Sequence, residues 1–333
     1  MNMNSVKDIT NAVKKDSFRM AALPAILRNQ ALEEIAKALK QKESKIEEAN
    51  NQDLLRGEEV HLSAPLLKRL KFDKGKIEEV NAGIKDLIDL PDPLGKNLLS
   101  RELDKGFVLN KVTCPIGVIG VIFESRPDAL VQIASLCLKS GNCAVLKGGS
   151  EASETNRILY RIIHNAGVKA GIPSGFLTLL ESRSDIGELL KCHESIDLII
   201  PRGSNEFVRF IMDNSEIPVM GHADGICHVY VDKNADVDMM VPVILDSKTQ
   251  YVAVCNAVET ILIHKDVKEM VLPKLQEALL RSDVTIKGDD ATRNVIDVQT
   301  ATEQDFKTEY LDYIVSIKVV ADIDEAIDHI NCF

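Results

Sequence analysis

The residues Thr249–Thr260 read TQYVAVCNAVET and set one thiol, Cys255, between an apolar run and Asn256. A thiolate attacks an acyl carbon well, and Cys is the most capable side-chain nucleophile at neutral pH. It needs a lowered pKa, from a helix N-terminus or a nearby cation. A helix starting at Asn256 would supply the first, and the Cys255 N–H with the Asn256 amide would hold an oxyanion. Free Cys is also among the most buried residue types. Spacing alone leaves a packed thiol and a catalytic one both open.

Two glycine turns offer a second kind of chemistry. Leu146–Ala152, LKGGSEA, follows an expected strand and opens an expected helix, with Lys147, Gly148 and Gly149 at the junction. Ile199–Ser204, IIPRGS, repeats the arrangement with Gly203 and a capping Ser204. Glycine lets backbone approach a ligand, and a helix N-terminus presents unpaired N–H groups to phosphate. Where many dinucleotide folds place an acid for the adenosine ribose, Lys147 stands instead. A cation there favours a 2′-phosphate, hence NADP(H). Either turn alone is also an ordinary strand-to-helix connection. Two of them after strands of one parallel sheet point to one crevice.

Other side chains carry less. The histidines are scattered, and His222 and His228, six residues apart, do not have a zinc spacing. The seven cysteines are odd in number and show no C-x-x-C pair. This suits reduced thiols in a cytoplasmic protein, with no disulfide framework and no metal site. A formal net charge of −11 and an aromatic content of 4% make nucleic acid and anionic membrane poor partners. No apolar run reaches the ~18 residues of a membrane helix. The polar N-terminus MNMNSVKDIT lacks a signal-peptide core.

The elements that must position these groups follow from periodicity. With 333 residues and 45% hydrophobic content the chain supports two α/β domains. The first ninety residues are helical in character. Ala31–Glu47 reads as one amphipathic helix, with a start before Ala31 open, and Asp73–Leu90 as another. Lys40–Glu48 is a solvated, charged face. Leu90–Gly95 breaks the helices, and residues 98–113 read as a hairpin turning at Asp104-Lys105-Gly106. That hairpin is an arm for self-association or a pair of edge strands. From Pro115 onward strands and helices alternate, which means βαβ units and a parallel sheet. Strands are expected at 117–123, 143–146, 176–180 and 196–200, then in a second series at 227–231, 258–263 and 314–319. The boundary falls near Gly221–Gly225.

Five phrases, in order, carry a resemblance: Cys114–Asp128 (CPIGVIGVIFESRPD), Lys147–Ser150, Pro201–Ser204, Pro218–Asp232 (PVMGHADGICHVYVD) and Cys255–Thr260 (CNAVET). Together they resemble the γ-glutamyl phosphate reductases of the aldehyde dehydrogenase superfamily, from about the first helix to the last residue. The resemblance implies an aldehyde dehydrogenase-like α/β fold, with a Rossmann-like NADPH-binding domain at 1–224, a hairpin arm at 98–113 and an α/β catalytic domain at 225–333. It implies reduction of L-glutamyl 5-phosphate to L-glutamate 5-semialdehyde in proline biosynthesis. Cys255 would be the nucleophile and Asn256 an oxyanion partner. Lys147 and Gly148 would lie at the adenosine phosphate, Gly203 and Ser204 at the pyrophosphate, and Glu309 at the nicotinamide ribose. Arg126 would bind a substrate carboxylate or phosphate, or form a structural ion pair. The related kinase domain that some relatives carry, glutamate 5-kinase, has no counterpart here, so any link to it would be functional.

Two departures matter. Hydrolytic aldehyde dehydrogenases carry a Glu that activates water, whereas Met220–Gly225 reads MGHADG. A reductase must keep water from its thioester, so an absent base agrees with reduction rather than aldehyde oxidation. Asp224 is read there as a turn residue. The chain also stops at Phe333 after a helix, where family members continue. The expectation is a catalytic domain incomplete at its C-terminus. The alternative function is then a non-catalytic nucleotide-binding or assembly module, and homo-oligomerisation would need the further segment.

Overall fold

The computed structural model describes residues 5–333 except Ser63, Ser125, Arg183, His222 and Ala223, and leaves out the side chains of Ala64, Pro65 and Asn205. The chain folds as two compact units, Met1–His222 and Ala223–Phe333. Each has its own hydrophobic core.

The N-terminal unit begins with α1 (Val6–Ala21), α2 (Ala25–Gln41), α3 (Glu43–Glu59), α4 (Ala64–Leu70) and α5 (Lys74–Asp89). Ser5 opens α1 with a capping box to Asp8, and Asp73 caps α5 through the Lys76 N–H. The apolar stripes read from the sequence are the buried faces: Ala31, Leu32, Ile35 and Leu39 on α2, and Ile77, Val80 and Ile84 on α5. The single helix expected over Ala31–Glu47 is corrected. It breaks at Lys42, whose φ of −111° and ψ of 18° end α2 and start α3. No Gly or Pro marks that break; the polar stretch around Lys42 offers no apolar position to carry one stripe through. After α5 the Leu90–Pro93 segment is held by Arg28, which pairs with Asp92 at 2.8 Å. The buried Lys139 donates to the carbonyls of Ile88 and Leu90 nearby.

β1 (Asn97–Asp104) and β2 (Phe107–Val112) form the antiparallel hairpin, and Gly106 takes φ +76° at its turn. Every residue of both strands is exposed. Next come β3 (Val118–Phe123), α6 (Pro127–Lys139), β4 (Cys143–Gly148), α7 (Ser153–Lys169), β5 (Leu177–Leu180), α8 (Asp185–Leu189), β6 (Leu198–Arg202) and α9 (Asn205–Asp213). The strands make a parallel sheet in the order β5-β4-β3-β6. β3 and β4 are buried along their whole length, as continuous apolar runs require. The chain runs outward from β3 through β4 to β5, then returns to the other side of β3 to lay down β6. The carboxyl ends of β3 and β6 therefore flank a topological switch point, where open α/β sheets bind ligands.

The C-terminal unit contains β7 (Cys227–Val231), α10 (Val237–Thr249), β8 (Val258–His264), α11 (Lys268–Leu280), β9 (Thr285–Gly288), α12 (Asp290–Arg293), β10 (Gln299–Thr300), β11 (Ile314–Val320) and α13 (Ile323–Cys332). Its parallel sheet runs β10-β9-β11-β8-β7. β8 is buried throughout. Among the described residues no helix is long and apolar enough to cross a membrane.

Candidate active site

In the N-terminal unit both glycine turns sit at the carboxyl edge of the parallel sheet. β4 ends in Lys147 and Gly148, and Gly149 leads towards α7. A β-carbon on Gly148 would stand 2.3 Å from Asn156 Nδ2 on α7, so any larger residue there must displace that amide. β6 ends at Arg202, followed by Gly203 and Ser204. The Ser204 hydroxyl accepts from the Phe207 N–H at 3.3 Å and caps α9. A β-carbon on Gly203 would lie 3.0 Å from the Phe207 ring and 3.2 Å from the Glu124 carboxyl carbon. Glu124 follows β3, so its carboxyl and Gly203 face each other across the switch point. Partial burial raises the Glu124 pKa above the ordinary carboxylate value, and the charge of Glu151 adds to the shift.

Lys147 is placed less openly than its sequence position suggests. It is buried, and its ammonium donates to the Gly148 carbonyl at 2.6 Å. Arg126 precedes α6, is 54% exposed, and has its guanidinium 3.7 Å from Asp128. Ser125 beside it lies outside the described residues.

In the C-terminal unit Cys255 is exposed. It lies in the bends and turns of residues 250–257, which join α10 to β8. The helix expected from Asn256 does not form. The Ala257 N–H bonds back to the Val254 carbonyl at 3.1 Å and the chain enters β8 at Val258. The β-branched run that follows, drawn into the centre of the sheet, prevails over any local helical tendency. Cys255 is therefore not at a helix N-terminus, and Asn256 is an exposed turn residue beside it.

Three contacts hold this turn. The Cys227 thiol donates to the Cys255 carbonyl at 3.3 Å. Gly225 packs so closely that a β-carbon would stand 2.3 Å from the same oxygen. Lys248, near the end of α10, pairs with Glu259 of β8 at 2.8 Å, their side chains 0% and 1% exposed. Burial pushes the Cys227 thiol up, and the neighbouring Cys255, Glu259 and Glu309 push the same way. Cys227 thus stays protonated as a donor while Cys255 faces outward. Asp224 is exposed; His222 and Ala223, which complete the Met220–Gly225 stretch, lie outside the described residues.

Glu309 is half-buried on the segment entering β11. Its neighbour Tyr310 bonds Asp305 at 3.0 Å and Ser316 at 2.8 Å, and Leu311 donates its N–H to Glu259 at 3.2 Å. Glu309 also acts electrostatically on Glu259 and Cys227, so it shares the surroundings of the thiol turn.

Within each unit the structure therefore gathers the sequence candidates: Lys147, Gly148, Gly203 and Ser204 along one sheet edge, and Cys255, Asn256 and Glu309 in the other unit. Sequence reasoning missed Glu124, Gly225, Cys227 and the Lys248–Glu259 pair. Glu259 was detectable, since a carboxylate inside the apolar strand AVETILI requires a buried partner.

An open parallel sheet with glycine turns at its switch point, and an exposed thiol held in a second α/β unit, define a nicotinamide-type oxidoreductase scaffold. The sequence pattern of the aldehyde dehydrogenase family matches residues 1–318. The chain is 58% identical over 329 residues to the gamma-glutamyl phosphate reductase of Acetivibrio thermocellus, covering 99% of this chain and 76% of that protein. It is 59% identical over 333 residues to the same-named protein of Pelotomaculum thermopropionicum, covering 100% of this chain and 76% of that one. The crystal structure of gamma-glutamyl phosphate reductase from Thermotoga maritima superimposes with a TM-score of 0.94 at 35% identity, covering 99% of this chain and 80% of the other. The chain belongs to the aldehyde dehydrogenase family and, within it, to the gamma-glutamyl phosphate reductases.

Proposed function

We propose that the chain reduces L-glutamyl 5-phosphate to L-glutamate 5-semialdehyde with release of phosphate, as a step of proline biosynthesis, using NADPH. The identity of 58–59% to gamma-glutamyl phosphate reductases over essentially the whole chain carries this reading.

The crevice beside β3 and β6 suits a dinucleotide: Gly203 leaves room that a side chain would fill, and α9 opens there with its N-terminal N–H groups. Gly203 and Ser204 would hold the pyrophosphate, and Lys147 with Gly148 the adenosine end. Lys147 meets a 2′-phosphate by turning from the Gly148 carbonyl, which favours NADPH over NADH. Glu309 would hold the nicotinamide ribose. Bound NADPH supplies the hydride that reduces the acyl carbon.

The remaining chemistry belongs to the protein. The Cys255 thiolate attacks the acyl carbon, the carbon–oxygen bond to phosphate breaks, and a thioester forms on Cys255. The Cys255 N–H and the Asn256 amide hold the oxyanion as carbon becomes tetrahedral. After reduction the thiohemiacetal collapses, its carbon–sulfur bond breaks, and Cys255 recovers its thiolate as the aldehyde leaves. No Glu stands in Met220–Gly225 to direct water at the thioester. Arg126 answers the substrate's carboxylate or phosphate, its weak contact to Asp128 being easily exchanged.

The hairpin serves self-association. An isolated two-stranded ribbon is marginal in water, and this one exposes Leu99, Phe107 and Leu109. Seven unpaired cysteines suit the reducing cytoplasm, where a glutamate 5-kinase would supply the labile acyl phosphate.

The test follows loss of nicotinamide absorbance with enzymatically generated glutamyl phosphate, and the reverse reaction with semialdehyde, phosphate and NADP. Both should proceed in the wild-type chain and vanish in Cys255→Ser. Full turnover in that variant sinks the thioester route, and NADPH binding without turnover in the wild type leaves a non-catalytic module.

A further inference from the structure

One carboxylate in the C-terminal unit has two separate duties. Glu259 Oε2 accepts from Lys248 Nζ at 2.8 Å, and Glu259 Oε1 accepts from the Leu311 N–H at 3.2 Å. The first contact spans the base of the Cys255 turn. Lys248 lies in the last turn of α10 and Glu259 is the second residue of β8, so the pair closes the stretch that carries the thiol. The second contact reaches a different part of the chain, 52 residues on, two positions past Glu309.

The Glu309 segment needs such a hold. Leu311 has φ +53°, a left-handed conformation that a branched residue adopts at a cost. Its backbone must be fastened or the segment will relax. Tyr310 is fastened on one side by Asp305 and Ser316. Leu311 is fastened on the other by Glu259. Glu309 is thus followed by two anchored residues, and one of the anchors is also the clasp of the thiol turn.

Charge explains why the anchor is an ion pair. A buried carboxylate without a cation would be driven to protonate, and with Glu309 nearby the more so. Burial still holds the Glu259 pKa above the ordinary carboxylate value, and Lys248 limits that rise. An ionised Glu259 is an acceptor only, with both oxygens available to the two donors on either side. A neutral acid would present a hydroxyl that cannot accept as strongly from Lys248 and Leu311 at once.

We infer that Glu259 is a positioning residue for the reduction: its two oxygens set the Cys255 turn and the Glu309 segment in register with one another. This rests on Cys255 and Glu309 being the working residues, as proposed above, but it fails separately from that reading.

Two double variants isolate the inference. Lys248→Gln with Glu259→Gln removes both charges and keeps both contacts as neutral hydrogen bonds, the new amide at 259 donating to position 248 and accepting from the Leu311 N–H. Lys248→Met with Glu259→Leu removes both contacts. Neither leaves an unpaired buried charge, so both are built to fold. The first should bind NADPH and react with iodoacetamide at Cys255 within about twofold of wild type, as expected when one neutral hydrogen bond replaces a charged one. The second should bind NADPH about tenfold more weakly, and its Cys255 alkylation should no longer respond to NADPH, the scale of one lost hydrogen bond to a positioned group. Equal NADPH affinity and equal alkylation in the two variants overturn the inference, whereas loss of Cys255→Ser sensitivity would overturn only the reading beneath it. A measurement on the wild-type chain needs no variant. The Leu311 amide should be protected from hydrogen exchange, and alkylating Cys255 should change that protection. Exchange at the rate of an open loop, or no response to alkylation, also overturns it.

Discussion

Gly225 lies against the backbone of Cys255 so tightly that a β-carbon on it would stand 2.3 Å from the Cys255 carbonyl oxygen and 3.2 Å from the Cys255 β-carbon. The atom in the way is main chain, which cannot swing aside as a side-chain tip does. Gly225→Ala should therefore displace the thiol turn, at about 1–3 kcal/mol of stability. Turnover should fall at least about tenfold, the usual result of a misplaced nucleophile, while NADPH affinity stays near wild type. Steady-state kinetics with a cofactor titration would check this, and an Ala variant with unimpaired kcat would show that the turn yields freely.

Glu124 gives a prediction of opposite sign. Its carboxyl sits over Gly203 with a pKa raised by burial and by Glu151, and its ionised form would repel the pyrophosphate proposed to lie there. NADPH binding should tighten as pH falls towards the raised value, because the protonated acid no longer repels the ligand. Glu124→Gln should bind NADPH more tightly at neutral pH and lose much of that dependence. Fluorescence titrations from neutral pH downward would test it, and weaker binding by the Gln variant at neutral pH would assign Glu124 a supporting role instead.

The cysteines should divide by surroundings. Burial pushes Cys137 and Cys143 up to about 12, whereas Cys114, Cys255 and Cys332 are exposed. Iodoacetamide at neutral pH should label the exposed three and spare the buried pair in the folded chain. Peptide mass spectrometry reads this directly, and early labelling of Cys137 would mean that the N-terminal core opens readily.

His329 links stability to pH. Burial, with Lys318 and His228 adding to it, lowers its pKa from 6.5 to about 4. Both ring nitrogens lack a hydrogen-bond partner among the described residues, and the ring packs edge-on against His228 and Phe306 and tilted against Phe333. The unfolded chain binds the proton more readily than the folded one. Stability should therefore be whole above about pH 6.5 and decline by roughly 2–3 kcal/mol as pH falls through about 4. His329→Phe should flatten that part of the profile. Denaturant melts from neutral to acidic pH would check it, and an unchanged slope in the variant would place the titration elsewhere.

Residues that act locally left their mark on the sequence, and those that act through packing did not. The strands at 118–123, 143–148 and 258–264 were legible because a short, unbroken apolar run must be covered on both faces. The glycine turns were legible because each follows such a run. The break at Lys42 was not, since it depends on how two helices pack rather than on a breaker residue. β9 and β10 escaped because they are only four and two residues long, too short to show a period, and β10 is polar at the sheet edge. At the site, residue types were visible but directions were not. Nothing in LKGG told that Lys147 would turn to the Gly148 carbonyl. The setting of Cys255 was likewise set by contacts from Gly225, Cys227 and Glu259, of which only Glu259 left a trace in the pattern.

Both large sheets consist of parallel pairs, and this governs how the molecule is made. Ile119 must find Leu198, and Thr260 must find Ser316, before the ladder bonds between those strands exist. Each such encounter closes a long stretch of still-disordered polypeptide and forfeits its freedom before any bond rewards it. Nascent chains should consequently linger with apolar segments such as GVIGVIF uncovered, and yields on dilution from denaturant should drop steeply as protein concentration rises.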